Sequence, residues 1–162
     1  MDAIIPEPTQ YFVRDIMTRD IVKVMPDTSV SEIALLMSQH RISGVPVVDE
    51  QDRVLGVVTE LDMIVRNTRF KLPAFFTLLN ATIYLETPAH LKERLHHMLG
   101  LTAREIMSEK VMTVTADASI EDLAELMVGQ RANPIPVVEN GRLAGIVSRS
   151  DIVRWMAKGV AE

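Results

Sequence analysis

The sequence has no cysteine, which removes disulfides and thiol chemistry and suits the cytoplasm. Aromatic residues are scarce, with one Trp, two Tyr and four Phe. Four of the seven, Phe70, Phe75, Phe76 and Tyr84, fall in one central stretch. No uninterrupted apolar run approaches the roughly 20 residues that span a bilayer, so no membrane role is expected. The opening MDAIIPEPTQYFV lacks a basic n-region and a long apolar core, so it is not expected to be a signal peptide. Basic residues are in deficit, with a formal net charge of -5. That disfavours a general nucleic-acid surface but leaves room for a local basic pocket. No Gly-rich phosphate loop and no nucleophile–base set can be found, which argues against an enzyme. Apolar residues, in contrast, make up 48% of the 162, ample for one domain or two small ones sharing a core.

The most informative stretch is Gly145-Ile146-Val147-Ser148-Arg149-Ser150-Asp151. A β-branched run leads into Ser-x-x-Asp and then into the apolar segment Ile152 to Met156. This order predicts a buried strand stepping directly into a helix, with Ser148 as N-cap and Asp151 as the third helical residue. Two readings share that geometry. In one, the pair is a capping box that satisfies orphan backbone N–H groups. In the other, the free N–H groups and the positive end of the helix dipole attract phosphate. The hydroxyl then adds a donor, and the carboxylate accepts from a sugar diol. The pattern stands a second time as Gly56-Val57-Val58-Thr59-Glu60-Leu61-Asp62, so it marks a repeat.

The rest of the chain bears this out. Residues 1–12 read as an arm packing Tyr11 and Phe12 onto the body. In the first block, Val13 to Met17 is a helical turn or loop and Ile21 to Val24 a short strand. Ser29 and Glu32 form a capping box, opening a helix that buries Val30, Ile33, Ala34 and Met37. Val45 to Val48 and Val54 to Val58 form a hairpin across Asp49-Glu50-Gln51-Asp52, and Thr59 caps a last helix through Val65. The second block repeats the order: Arg104 to Met107, Val111 to Val114, a helix from Asp117-Ala118-Ser119 with face Ile120, Leu123, Ala124 and Met127, then Pro134 to Val138, a shorter turn at Glu139-Asn140-Gly141, and Gly145 to Asp151. At an offset of 90 residues up to the turn and 89 after it, 17 of 51 aligned positions are identical. Two β-α-β-β-α units of about fifty residues should pack face to face, since neither has much core alone.

The order resembles that of a CBS domain. The resemblance rests on D-x-S at the first helix start, V-P-V-V and I-P-V-V at the second strand, and G-h-h-[TS]-x-x-D at the strand-to-helix step. It covers residues 13–65 and 103–157. It implies an α+β fold in which two CBS repeats, 13–65 and 103–162, form a pseudo-twofold pair with the 66–102 insert between them. Members bind adenosine-containing ligands between repeats and regulate rather than catalyse. Carried over, one site would use Ser148, Arg149 and Asp151 with Val22, Ser43, Gly44, Val45 and Pro46. The other would use Thr59 and Asp62 with Met112, Asn133, Pro134, Ile135 and Pro136. The aspartate would hold the ribose, apolar strand residues the purine, and the hydroxyl and helix start the phosphate. Arg149 can pair with a phosphate where its counterpart Glu60 would repel one, so the Ser148 site is expected to bear the phosphate. Arg41 and Arg131 stand where family members often carry a basic phosphate contact; equally, each is a solvated charge near a helix C-terminus.

The insert is longer than a plain connection needs. Leu72 to Leu85 is largely apolar. Thr87-Pro88 reads as a helix start and Gly100 as its end, with Leu91, Leu95, Met98 and Leu99 on one face. It either packs on its own repeats or forms a dimer or partner contact. His90, Glu93 and His97, with His96 adjacent, lie at helical spacing. No further ligand cluster accompanies them, so no metal is expected. The reading is a cytoplasmic, non-enzymatic sensor of an adenine nucleotide, without a cofactor, forming a homodimer and regulating a partner that the sequence does not reveal. AMP, ADP, ATP, cyclic di-AMP and S-adenosylmethionine share the adenosine and are not separated. The rivals are a ligand-independent dimerisation scaffold with vestigial clefts, an enzyme, and a nucleic-acid binder, the last against the acidic balance.

Overall fold

A computed structural model of the protein describes residues 10–65, 77–78, 81–82 and 101–160. The elements are α1 (Val13–Ile16), α2 (Val30–His40), β1 (Gly44–Val48), β2 (Val54–Thr59), α3 (Glu60–Val65), β3 (Thr77–Leu78), β4 (Ala81–Thr82), α4 (Ala103–Ile106), α5 (Ile120–Gly129), β5 (Ile135–Glu139), β6 (Arg142–Val147) and α6 (Arg149–Val160). The fold is α+β, as expected. The chain forms two compact units: a continuous one, Val22–Val111, and a discontinuous one made of Met1–Ile21 and Met112–Glu162. Among the described residues, no helix is long and apolar enough to cross a membrane. Phe70, Phe75, Phe76, Tyr84, the Thr87–Gly100 helix and the histidine group fall outside the described residues. The two-residue ladder of β3 and β4 has no counterpart in the sequence reading.

In the continuous unit, α2 starts at Ser29, whose Oγ accepts from the Glu32 N–H at 3.2 Å. Val30, Ile33 and Met37 are buried and Ala34 half-buried, as the helical spacing requires. They cover the antiparallel hairpin of β1 and β2, in which Val45 faces Val58 and Val47 faces Gly56. The hairpin turn is held by Asp49, which accepts from the N–H groups of Gln51 and Arg53 at 2.9 Å each and from Arg53 Nε at 2.7 Å.

The Arg53 N–H above all, helped by the Arg53 side chain and the Gln51 N–H against a desolvation that works the other way, holds the Asp49 carboxyl below its ordinary value. A depressed carboxyl stabilises the fold above its unfolded-state pKa, and that contribution is lost as pH falls through the folded one. Native protein should therefore exceed an Asp49→Asn variant by a constant margin from neutrality down to about pH 4, and the margin should shrink below that. Urea melts at pH 7, 5 and 3 measure it; a margin unchanged at pH 3 would refute this account of the turn.

The discontinuous unit repeats the plan. Ser119 Oγ accepts from the Asp122 N–H at 3.0 Å, and α5 buries Ile120, Leu123 and Met127. β5 and β6 pair antiparallel with Ile135 facing Val147. Their two-residue turn is Asn140-Gly141, with φ of 51° and 76°. Asn-Gly is the pair that tolerates two successive left-handed residues, which explains why this turn is shorter than its counterpart.

The expected leading strands are not formed as strands. In the segment 21–24 only Val24 pairs, in a single parallel bridge to Val47, and in 111–114 only Val114, to Val137. Each bridge has two hydrogen bonds, Val24 N–H to Pro46 and Val48 N–H to Val24 in one unit, Val114 N–H to Pro136 and Val138 N–H to Val114 in the other.

The leading segments are also exchanged. In the discontinuous unit, α1 docks through the Val13 N–H to Ala118 O and the Arg14 N–H to Ala116 O, both 2.9 Å. Thr18 and Ile146 trade N–H···O bonds at 2.9 Å, Arg14 pairs with Asp117, and the Tyr11 ring meets Trp155 edge-on at 5.2 Å. In the continuous unit, the Ala103 N–H reaches Thr28 O at 2.8 Å, the Arg104 N–H reaches Pro26 O at 2.9 Å, and Ser108 pairs with Val57. A Cβ on Gly145 would stand 2.6 Å from Met17 Sδ, and one on Gly56 2.5 Å from Met107 Sδ. Each sheet thus carries a glycine where a methionine side chain leaves no room for a Cβ. Each unit has its own core. One is built on Ile33, Val45, Val47, Val58 and Ile106, the other on Val13, Leu123, Ile135, Val137 and Val147.

Candidate functional site

The strand-to-helix step of the discontinuous unit forms because β6 ends at Val147 and α6 begins at Arg149, leaving Ser148 to cap. Asp151, in the first turn, is only 8% exposed. Its Oδ2 accepts from the Ser148 N–H and the Ser148 hydroxyl, both at 2.7 Å, and its Oδ1 from Arg154 Nη1 at 3.0 Å. The Ser148 and Ser150 hydroxyls lie 2.9 Å apart. The Arg149 N–H donates to Asn133 Oδ1 at 2.8 Å, while the Arg149 side chain is exposed. Half of the capping box is therefore realised: the Asp151 carboxylate reaches back to the Ser148 N–H, while the Asp151 N–H donates to Ser148 O at 3.0 Å, and the step leaves a buried carboxylate beside a hydroxyl and a cation at a helix start.

The continuous unit builds the same step with other neighbours. Asp62 Oδ2 accepts from the Thr59 N–H and hydroxyl, both at 2.8 Å, and the Asp62 N–H returns to Thr59 Oγ1 at 3.3 Å. Asp62 Oδ1 accepts from the Ser108 hydroxyl at 3.0 Å. The Glu60 N–H donates to Ser43 O at 3.0 Å.

Hairpin register sets which expected residues are neighbours within each unit. Gly44 pairs with Thr59, so Ser43, Gly44, buried Val45 and buried Pro46 accompany Thr59 and Asp62. Ile135 pairs with Val147, so Asn133, Pro134, Ile135 and Pro136 accompany Ser148 and Asp151. The expected grouping, Ser148 with Ser43–Pro46 and Thr59 with Asn133–Pro136, draws on different units; within each unit the step has its own pre-proline segment beside it. Val22 packs half-buried on the continuous core, and Met112, 38% exposed, belongs to the discontinuous unit. Arg41 and Arg131 are both exposed and both left-handed, at φ 53°. Arg41 closes α2, its N–H reaching Met37 O and Ser38 O. Two site neighbours escaped the sequence reading. Arg154 was findable from its i,i+3 spacing to Asp151; Ser108, 46 residues from Asp62, carried no local signal. Among the described residues no group of three or more His, Cys, Asp or Glu could hold a metal.

The chain is similar to known proteins over most of its length. It is 30% identical to the protein MJ1426 of Methanocaldococcus jannaschii over 151 residues, covering 87% of this chain and 88% of that one. The CBS-domain containing protein ATU1752 from Agrobacterium tumefaciens superposes with a TM-score of 0.68 at 31% identity, over 90% of this chain and 99% of that one. CBSX2, solved in complex with AMP, gives a TM-score of 0.68 at 24% identity, over 91% and 97%. The CBS domain family model matches residues 13–66 and 103–158, and with both repeats so matched the chain belongs to the CBS domain family as a tandem CBS-domain protein.

Proposed function

We propose that the protein is a non-enzymatic regulatory module that binds an adenosine-containing ligand, AMP, ADP or ATP before others, and passes its occupancy to a protein partner. The observation that carries this reading is Asp151: a carboxylate almost removed from solvent, fixed beside the Ser148 hydroxyl at the start of a twelve-residue helix. Such a group can accept from ribose hydroxyls while the helix start, Ser148 and Arg149 take phosphate. The AMP held by CBSX2 supports the ligand class. Glu60 in place of Arg149 suits the Thr59–Asp62 step to a less charged adenosyl group. A homodimer is part of the proposal. Leu61 and Ile64 of α3, 65% and 62% exposed, and Val128, Val153 and Met156, at 80%, 64% and 58%, offer apolar surface to a second copy.

Thermal shift and calorimetry with AMP, ADP, ATP, cyclic di-AMP and S-adenosylmethionine test the reading. A ligand at a hundred times its dissociation constant should add about 2.7 kcal/mol of stability. Asp151→Ala should abolish that gain, measured against its own unliganded baseline because the Ser148 donors left without their acceptor themselves cost about 1–3 kcal/mol. Arg149→Glu should weaken phosphate-bearing ligands more than S-adenosylmethionine, and the ligand should be recovered chemically unchanged. A second reading, the ligand-independent scaffold, is favoured by one observation: both aspartates are already engaged by their own helix starts. It predicts a dimer by light scattering and no shift with any ligand, a result that would end the sensor proposal.

A further inference from the structure

We infer that Arg154 is a specificity-determining residue of the Ser148–Asp151 step, a displaceable cation seated on an acceptor that a ribose diol needs; the inference rests on the adenosyl reading above. Asp151 Oδ2 already receives two donors, the Ser148 N–H and hydroxyl, which fills its two lone-pair positions. Oδ1 receives Arg154 Nη1, so a single acceptor position stays open. A vicinal diol brings two donors. One can take the open position on Oδ1, and the other needs a position now in use.

The structure sets which contact yields. The Ser148 contacts belong to the cap of a buried group. The Arg154 side chain is 66% exposed against 8% for Asp151, and an exposed guanidinium trades a carboxylate for water at small cost. Arg154 therefore leaves first. The companion step lacks this device. Asp62 Oδ2 likewise receives the N–H and hydroxyl of its own helix start, but its Oδ1 receives the neutral Ser108 hydroxyl, and the sequence position matching Arg154 is Val65. A hydroxyl can rotate, accept from the incoming sugar and stay in place. The two steps thus differ in how a diol is admitted, not only in the charge that Arg149 and Glu60 bring.

The test is calorimetry on the full chain in an Asp62→Asn background, so that Asp151 is the remaining aspartate of the two steps. The probes are AMP and 2′,3′-dideoxy-AMP, and position 154 is Arg, Met or Lys. The ratio of the two dissociation constants cancels any general electrostatic effect of the lost charge. Arg154→Met should raise the preference for AMP over its dideoxy form about three- to five-fold, the scale of an exposed ion pair, with Arg154→Lys in between. A preference that stays level or falls in Arg154→Met overturns the inference and leaves the sensor proposal standing. If AMP binds the native chain but not the Asp62→Asn background, the ligand belongs to the other step and this inference is overturned alone; if none of the five ligands binds the native chain, the sensor proposal fails and this inference with it.

Discussion

A Val13→Asp chain should lose hydrogen-exchange protection first in β5 and β6, not in β1 and β2. Val13 precedes the first hairpin by thirty residues of chain, so proximity in sequence would place the damage there. Its side chain is instead fully buried in the core that holds Leu123, Ile135, Val137 and Val147. A carboxylate at that position has no partner, and burying an unpaired polar or charged group costs several kcal/mol. Against the roughly 5–15 kcal/mol that stabilise a domain, the discontinuous unit should be largely unfolded at 37 °C. The Ile146 amide, which donates to Thr18 O, is the most direct reporter; the Val48 amide, bonded to Val24, reports the other unit. Loss of protection at Val48 ahead of Ile146 would refute the exchanged packing of α1.

The second large effect is a matched pair of cavities. Ile33 and Leu123 occupy equivalent positions in the two blocks and are both 0% exposed. Leu123→Ala and Ile33→Ala should each cost about 2–5 kcal/mol, the transfer energy of the lost atoms plus the cavity they leave. Urea melts give the size, and exchange at Ile146 and Val48 assigns each loss to its unit. A cost below about 1 kcal/mol would mean that the surrounding helix collapses into the space and that the core is looser than its burial implies.

Local chemistry was legible in the sequence wherever one short segment decides the outcome. Ser29 and Ser119 cap their helices, and Val30, Ile33 and Met37 turn inward, because a hydroxyl three residues from an N–H and a 3.6-residue period need no distant partner. The strand-to-helix step at Ser148 is legible in the same local way, although its hydroxyl donates to Asp151 instead of accepting from the Asp151 N–H. The leading strands were over-read: Ile21 to Val24 is β-branched enough, but strand length is set by what lies alongside, and only Val24 finds a neighbour. The exchange of leading segments was invisible for a sharper reason. The sequence offers Met17 and Met107, Gly56 and Gly145, and repeat symmetry allows either pairing equally well. Nothing local distinguishes Met17 on Gly145 from Met17 on Gly56. Which residues neighbour each step within its own unit is hidden for the same cause, since hairpin register is settled by contacts between distant parts of the chain.

Synthesis from the N-terminus gives the exchange a temporal consequence. Val22–Val111 is one uninterrupted piece of chain, so all its packing partners exist once residue 111 has emerged. The other unit is then half made: Val13 and Met17 are present, but the sheet they cover lies in Met112–Glu162, which is still to be translated. Its contacts span most of the chain's length, the kind that form slowly, and its first piece must wait with apolar side chains uncovered, where nascent chains are prone to aggregate. A nascent chain stalled near residue 111 would hold one finished unit and one orphaned strap.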